Sequence, residues 1–381
     1  MESSFVISFD PSLPINRLFI NERFVRIIND LNIVERYFDN RLVKEMFEYY
    51  DRNVYRPLAN AALTAAKLNL PVYMAVTGVF LEMAYKYDQE LFKKIYAASS
   101  TGKVKIIPST FYGGLYPLCE SSGEEIGEQV KLVSELTAKY GLQRAPVAVM
   151  PYLIYNEWVE KGAKAAGAEY VITEEVDGFT SHRYLYTNSS NDLRIVIRNR
   201  EASLALADGQ FDRLGKDVEG LIYVSAEEVA QKGEAFAEVL GNYIYRGGLD
   251  LKEVPPSKLP ASGTLYAPGR PYLYDLSYGS PTPLWEREKA QTMLLSKACS
   301  LLSYVRWLGD QRMLQIWRIL LQADLFLAMT GEPSRRAKVM ADKEEAKLSY
   351  AYILGDFEGK LASMILKKKE KAAVQEARPK L

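Results

Sequence analysis

Val72-Tyr-Met-Ala-Val76 and Val104-Lys-Ile-Ile-Pro108 are two short runs of mostly apolar residues, and they set the pattern for the first 270 residues. Five more runs of the same kind recur at Phe5 to Ser8, Val147 to Met150, Tyr170 to Thr173, Leu193 to Ile197 and Leu221 to Ser225. Between most of them apolar residues return every three or four positions, as at Phe24, Ile27, Ile28 and Leu31 or at Ile126, Val130, Leu132 and Leu136. That spacing is helical, and strands alternating with helices imply a parallel sheet. Runs that are apolar on both faces predict an α/β fold, a parallel seven-stranded β/α barrel rather than an open sheet. Chemistry on such a scaffold sits at the C-terminal ends of strands. The residues to inspect are therefore Phe9 and Asp10, Thr77, Ser109 to Tyr112, Pro151 and Tyr152, Glu174 and Glu175, and Ser225 to Glu227.

Prolines crowd between Leu251 and Pro283, at positions 255, 256, 260, 268, 271, 281 and 283, which reads as a linker or a long loop over 251–283. Beyond it the spacing predicts three helices, Trp285 to Trp307, Met313 to Met329 and Lys343 to Lys369, divided at Gly309 and at Gly331-Glu-Pro333. The expected organisation is a barrel over 1–250, the linker over 251–283, a helical domain over 284–370 and a charged tail over 371–381 that frays into solvent. The helices carry more apolar surface than a three-helix unit can hide, so the helical domain is expected to pack on the barrel.

Among 381 residues, 48 Lys and Arg balance 48 Asp and Glu. A neutral chain gives no electrostatic support to a nucleic-acid or acidic-membrane partner. Hydrophobic residues make up 48%, the mix of a folded globular protein. Two cysteines, Cys119 and Cys299, and one histidine, His182, cannot build a Cys-rich zinc site or a multi-His site, so neither metal nor cofactor is expected. No run of 18 apolar residues occurs, and the start at Met1 to Pro14 has no basic stretch followed by an apolar core, so a soluble cytoplasmic protein is expected. Many Tyr, Lys and Glu with few Cys and His suit a thermophilic source.

Several blocks, in order along nearly the whole chain, carry a family likeness. They are Gly102-Lys-Val-Lys-Ile-Ile-Pro-Ser-Thr-Phe-Tyr-Gly-Gly-Leu115, Val149-Met-Pro-Tyr-Leu-Ile-Tyr-Asn156, Gly167-Ala-Glu-Tyr-Val-Ile-Thr-Glu-Glu175, Gly220-Leu-Ile-Tyr-Val-Ser-Ala-Glu-Glu228, Leu320-Leu-Gln-Ala-Asp-Leu-Phe-Leu-Ala-Met329 and Tyr350-Ala-Tyr-Ile-Leu-Gly-Asp-Phe-Glu358. This set resembles the signature regions of glycoside hydrolase family 57, in particular its α-amylase-like members. The resemblance implies a seven-stranded β/α barrel followed by a helical domain, and α-glucan chemistry with retention of configuration. Retention needs two carboxyl groups about 5 Å apart, one as nucleophile and one as acid and then base.

Here the chain departs from the family pattern. Laid over the family's Arg-Asn-Thr-Glu-Leu-Ile-Tyr-Asn, the block ending at Asn156 keeps Leu-Ile-Tyr-Asn and puts Tyr152 at the nucleophilic glutamate. Ser225 falls at the acid/base aspartate and Ala226 at the neighbouring tyrosine. The histidine of the first signature is missing from Ile7-Ser-Phe-Asp-Pro11; Ser109 and Gly113 replace a glutamate and a histidine of the second. A phenol with a pKa of about 10 is a poor nucleophile without an adjacent base, although tyrosine nucleophiles exist in sialidases.

Each remaining candidate has an ordinary reading beside its functional one. Glu227 and Glu228 begin an amphipathic stretch, where acids complement a helix dipole; with Glu174 and Glu175 they are also the material for a relocated pair. Asp10 is a surviving polar site residue or a turn residue before Pro11. Thr110, Phe111 and Tyr112 offer a platform for a sugar ring or aromatic packing. Trp285 lines a cleft or plugs a seam. Asp324, among Leu320, Leu321, Leu325 and Phe326, needs a polar partner or faces water. His182, in a polar turn, reads as a surface residue. The favoured reading is a catalytically degenerate α-amylase-like protein that binds an α-glucan or a protein partner. Its rivals are an active retaining α-glycoside hydrolase or 4-α-glucanotransferase, and an interaction subunit with a filled cleft.

Overall fold

The computed structural model describes residues 3–11, 13, 33–175, 180–188, 192–214, 218–232, 234–245, 251–254, 259–267, 285, 287–330 and 342–376. The expected helix through Phe24 and Leu31 lies outside them. The chain divides into two compact units, Met1–Pro11 with Lys44–Gly279, and Ser12–Val43 with Ser280–Leu381.

In the first unit all seven apolar runs are strands: β1 (Ser3–Phe9), β2 (Val72–Val76), β3 (Val104–Pro108), β4 (Val147–Val149), β5 (Tyr170–Thr173), β7 (Arg194–Ile197) and β8 (Gly220–Ser225). Two more strands, β6 (Leu185–Asn188) and β9 (Ala261–Leu265), have no apolar run behind them; β9, Ala-Ser-Gly-Thr-Leu, is largely exposed. Every pairing among the seven is parallel. Within the Pro-rich stretch expected as a linker, β9 pairs with β6, which in turn runs antiparallel to β7.

The expected single seven-stranded barrel is corrected by the strand order. The strands form a four-stranded sheet, β3-β2-β1-β8, and a five-stranded sheet, β4-β5-β7-β6-β9. Among the described residues only single bridges, Ile106 to Arg144 and Arg198 to Leu221, join their edges. The physical reason is local. Pro108 ends β3 and Pro146 precedes the three-residue β4, and proline has no N–H to continue a ladder. At the other edge the chain leaves β7 at once, because Asn199 caps the helix Arg200–Ala207.

One buried cluster nevertheless collects a side chain from each of the seven strands: Val6, Ala75, Ile107, Val149, Ile172, Val196 and Leu221. Val254 joins it from the far end of the unit. There Lys252 N–H donates to Ser3 O at 2.7 Å, Ser4 Oγ to Glu253 O at 2.5 Å, and Val254 N–H to the Tyr73 hydroxyl at 3.0 Å, so residues 251–254 are tied to the starts of β1 and β2. At the opposite ends the chain turns into helices through side-chain caps. Thr77, Asn156 and Asn199 each accept an N–H from the first turn of the following helix.

A buried acid pair lies in the same unit. Arg56 Nε reaches Asp51 Oδ2 at 3.0 Å and Asp88 Oδ2 at 2.6 Å. Burial, then the hydrogen bond and charge of Asp88, push the Asp51 carboxyl up to about 7. Burial would also raise Asp88, but hydrogen bonds from Asp51, Leu91 N–H and Arg56 outweigh it and hold Asp88 below its usual value. Asp51 titrates higher folded than unfolded, so its stabilising contribution is complete at low pH and is lost as pH rises through 7. Between pH ~5.5 and ~8.5 the wild type is expected to lose about 2 kcal/mol that Asp51→Asn does not lose. The Asp88 shift acts below that window. Urea unfolding across the pH range checks this: parallel curves for the two proteins would refute it.

In the second unit the first two expected helices are each interrupted. The first is Lys289–Ser300 and Leu302–Leu308, ended by Gly309 at φ 73°. The second is Gln311–Leu320 and Ala323–Leu327. The second break is at Gln322, whose amide turns back to accept Leu13 N–H at 2.9 Å and to donate to Ile319 O at 3.0 Å. The third, Lys343–Glu376, runs on where a frayed tail was expected, because its Lys, Glu, Ala and Gln are good helix formers; residues 377–381 lie outside the described residues.

Candidate functional site

Ser225 ends β8, and its chemistry is local. Its hydroxyl accepts Glu228 N–H at 3.1 Å, while Glu228 Oε2 accepts Ser225 N–H at 2.7 Å. This reciprocal capping box opens the helix Ala226–Lys232. Glu227, one residue earlier, accepts the Tyr50 hydroxyl at 2.9 Å. The dipole-complementing reading of these two glutamates is the one the structure adopts.

Arg198 organises the ends of three strands. It follows β7 directly and is buried. Its Nη1 donates to Glu174 Oε2 at 2.9 Å, at the end of β5, and its Nη2 lies 3.6 Å from Glu228 Oε1, beyond β8. Arg200 reaches Glu174 Oε1 at 3.4 Å. Burial would lower the Arg198 guanidinium, but the charges of Glu174 and Glu228 outweigh it and raise it, so it stays a cation. Its head lies 5.9 Å from the ring centre of Tyr223 on β8. Burial raises the Tyr223 phenol, and the Asp10 and Glu228 charges add to this against the Ser8 hydrogen bond and Arg198. Glu174, Arg198, Tyr223, Glu228 and Asp10 thus share one electrostatic neighbourhood. Two carboxylates held on one guanidinium are fixed in place, which suits binding and orientation.

Asp10 also sets the shape of the next loop. A side chain on Gly113, at φ 64°, would place its Cβ 2.5 Å from Asp10 Oδ1, so Asp10 occupies the space a side chain at 113 would need. Thr110 is fully buried, and its hydroxyl has no hydrogen-bond partner. The Phe111 ring lies over Gly78, where an added Cβ would meet it at 2.2 Å, and the Tyr112 ring is 4.8 Å from it. Tyr152, just past β4, adopts a left-handed backbone at φ 56° and leaves 37% of its surface exposed. Leu153 behind it also has φ 56°, and its carbonyl accepts the buried Thr173 hydroxyl at 2.8 Å. A non-glycine pair in this conformation is strained, and such strain gathers where a side chain is held for use.

His182 differs from its expected surface setting. Its ring Nδ1 lies 3.1 Å from Glu175 Oε1, and both side chains are mostly covered. In the second unit, Trp285 is buried and Asp324 is 7% exposed near the start of its helix. Arg198 and Tyr223 were not among the sequence-derived candidates. Arg198 is the residue after the Leu193 to Ile197 run, so inspecting strand ends would have found it; Tyr223 lies within its strand and carries no such signal.

No group of three or more His, Cys, Asp or Glu side chains that could hold a metal ion occurs among the described residues, and no described helix is long and apolar enough to cross a membrane.

Comparison with known proteins adds the remaining facts. The Methanocaldococcus jannaschii protein named "Putative alpha-amylase" is 30% identical over 182 residues, 46% of this chain; the match spans 38% of that relative's length. A branching enzyme of family 57 type from Pyrococcus horikoshii has a similar fold, with a TM-score of 0.59 at 12% identity, covering 92% of this chain and 88% of that one. A family 57 branching enzyme from Thermococcus kodakaraensis gives 0.57 at 13% identity, covering 95% and 90%. A 4-alpha-glucanotransferase from Thermococcus litoralis gives 0.53 at 13% identity, covering 91% and 55%. At such identities these structures speak for the fold alone. Residues 13–208, just over half of the chain, match the model of Glycosyl hydrolase family 57, and this protein belongs to that family.

Proposed function

We propose that this protein is a catalytically degenerate member of its family that binds an α-glucan at the C-terminal ends of the strands of its first unit. In this reading the strands of the two sheets, packed around one core, end at a common rim that forms the binding surface. The observation that carries the proposal is how the acids at that rim are used. Ser225 and Glu228 cap a helix on each other, and Glu228 and Glu174 are both held on Arg198. Tyr152 brings no carboxylate. A sugar ring can stack on Tyr152 and on the half-buried Phe111 and Tyr112, while Asp10 accepts from its hydroxyls. The names of the matched relatives, an alpha-amylase, branching enzymes and a glucanotransferase, supply the ligand class.

Titration calorimetry with maltoheptaose, run beside assays on starch and an aryl α-glucoside, tests this. Binding without turnover is expected, and Tyr152→Ala weakens binding about tenfold, as expected from a lost stacking contact. Tyr152→Glu alone creates no useful activity, because the acid is still absent and acid catalysis is typically worth roughly 10²- to 10⁴-fold. Turnover abolished by Glu174→Gln or Asp10→Asn would overturn the proposal in favour of an active glycoside hydrolase or glucanotransferase with relocated acids.

A further inference from the structure

The long helix Lys343–Glu376 has two apolar faces. One is buried in its own unit through Ala346, Tyr350, Ile353, Phe357 and Leu361. On the opposite side, Leu348, Tyr352, Gly355, Gly359, Ala362 and Leu366 follow a 4-3-4-3-4 spacing, which places all six on one seam. All six are exposed, Leu348 by 51%, Tyr352 by 54% and Leu366 by 61%.

The two glycines are the anomaly. A glycine in a helix interior weakens the helix about fivefold in its equilibrium relative to alanine. A Cβ at Gly355 or Gly359 would meet nothing within 4 Å, so nothing among the described residues requires their smallness. Glycines on one helix face permit close approach of another backbone.

The order of residues identifies that backbone. The seam is nearly symmetric about Phe357: Leu348 mirrors Leu366 and Gly355 mirrors Gly359, while Tyr352 falls opposite the small Ala362. A two-fold axis there lays a second helix antiparallel, with leucine on leucine at both ends and glycine against glycine in the middle. Antiparallel contact also sets Glu345 against the partner's Lys369 at each end of the seam, with the helix dipoles opposed. We infer that this face is the interface of a two-fold homodimer formed by antiparallel pairing of the Lys343–Glu376 helices. From Leu348 to Leu366 the seam is about 27 Å long, a small interface, so the dimer is in the micromolar class and depends on concentration.

Sedimentation velocity of the full chain from about 1 to 100 µM tests it. The wild type is expected to shift from monomer to dimer across that range. The double variant Gly355→Gln/Gly359→Gln is expected to stay monomeric throughout, with an unchanged or raised Tm, since glutamine is the better helix former and meets no neighbour. Leu366→Glu weakens the dimer at least about tenfold. Reversing Glu345 to lysine weakens it too, and reversing Lys369 to glutamate in the same chain restores it. A wild type that remains monomeric at every concentration, or a dimer that survives the double glutamine variant, would overturn the inference.

Discussion

Arg198→Met is expected to destabilise the protein by about 3–5 kcal/mol, the range for removing one partner of a buried ion pair. Both described ion-pair partners of Arg198 are carboxylates, so the substitution takes the cation from Glu228 and leaves Glu174 with Arg200 alone. Adding Glu174→Gln and Glu228→Gln removes the stranded charges and is expected to restore most of the loss. Arg198→Lys gives an intermediate value, because one ammonium cannot span two carboxylates as a planar guanidinium does. Urea denaturation of the four proteins at neutral and mildly acidic pH decides it; a loss under ~1 kcal/mol for Arg198→Met would mean the cluster is solvated and not structural.

The second large effect is expected at Gly113. Restoring the family's histidine there, Gly113→His, forces a side chain onto a left-handed backbone, at about 1 kcal/mol, and drives its Cβ to 2.5 Å from Asp10 Oδ1. Relieving that contact moves a carboxylate or the loop, so the total is expected at about 3 kcal/mol, at the upper end for ordinary substitutions. Combining it with Asp10→Ala recovers the contact part and leaves the backbone part, about 1 kcal/mol. Strict additivity of the two changes in a thermal or urea series would show that the residues do not meet. Coupling would mean that Asp10 and Gly113 are matched to each other, and that changing position 113 alone reconstructs nothing.

The parallel strands were legible in the sequence because buried strands need continuous apolar runs, and all seven such runs are strands. Their division into two sheets was not. Closure depends on hydrogen bonds at two edges, and single residues such as Pro146 decide those without altering the apolar pattern. β9 was hidden for the opposite reason: an exposed edge strand has no need of apolar alternation. At the site, the strand-end rule located Asp10, Tyr152, Glu174 and Ser225. What Ser225 and Glu228 do for each other was written in Ser-x-x-Glu, a capping box. The clamp on Arg198 was not, because it joins side chains from β5, β7 and β8 that only the fold brings together.

The bond between Ser4 and Glu253 spans 249 residues, and β1 pairs with β8 more than 200 residues downstream. The first of these strands to be synthesised therefore meets β2 early and its other partner late. At about 5–20 residues per second, β1 waits roughly 10–40 s with one apolar edge open before β8 emerges. Long-range closure of this kind slows folding, so yield during synthesis is expected to depend on factors that shield nascent strands, more than on the stability of the finished protein.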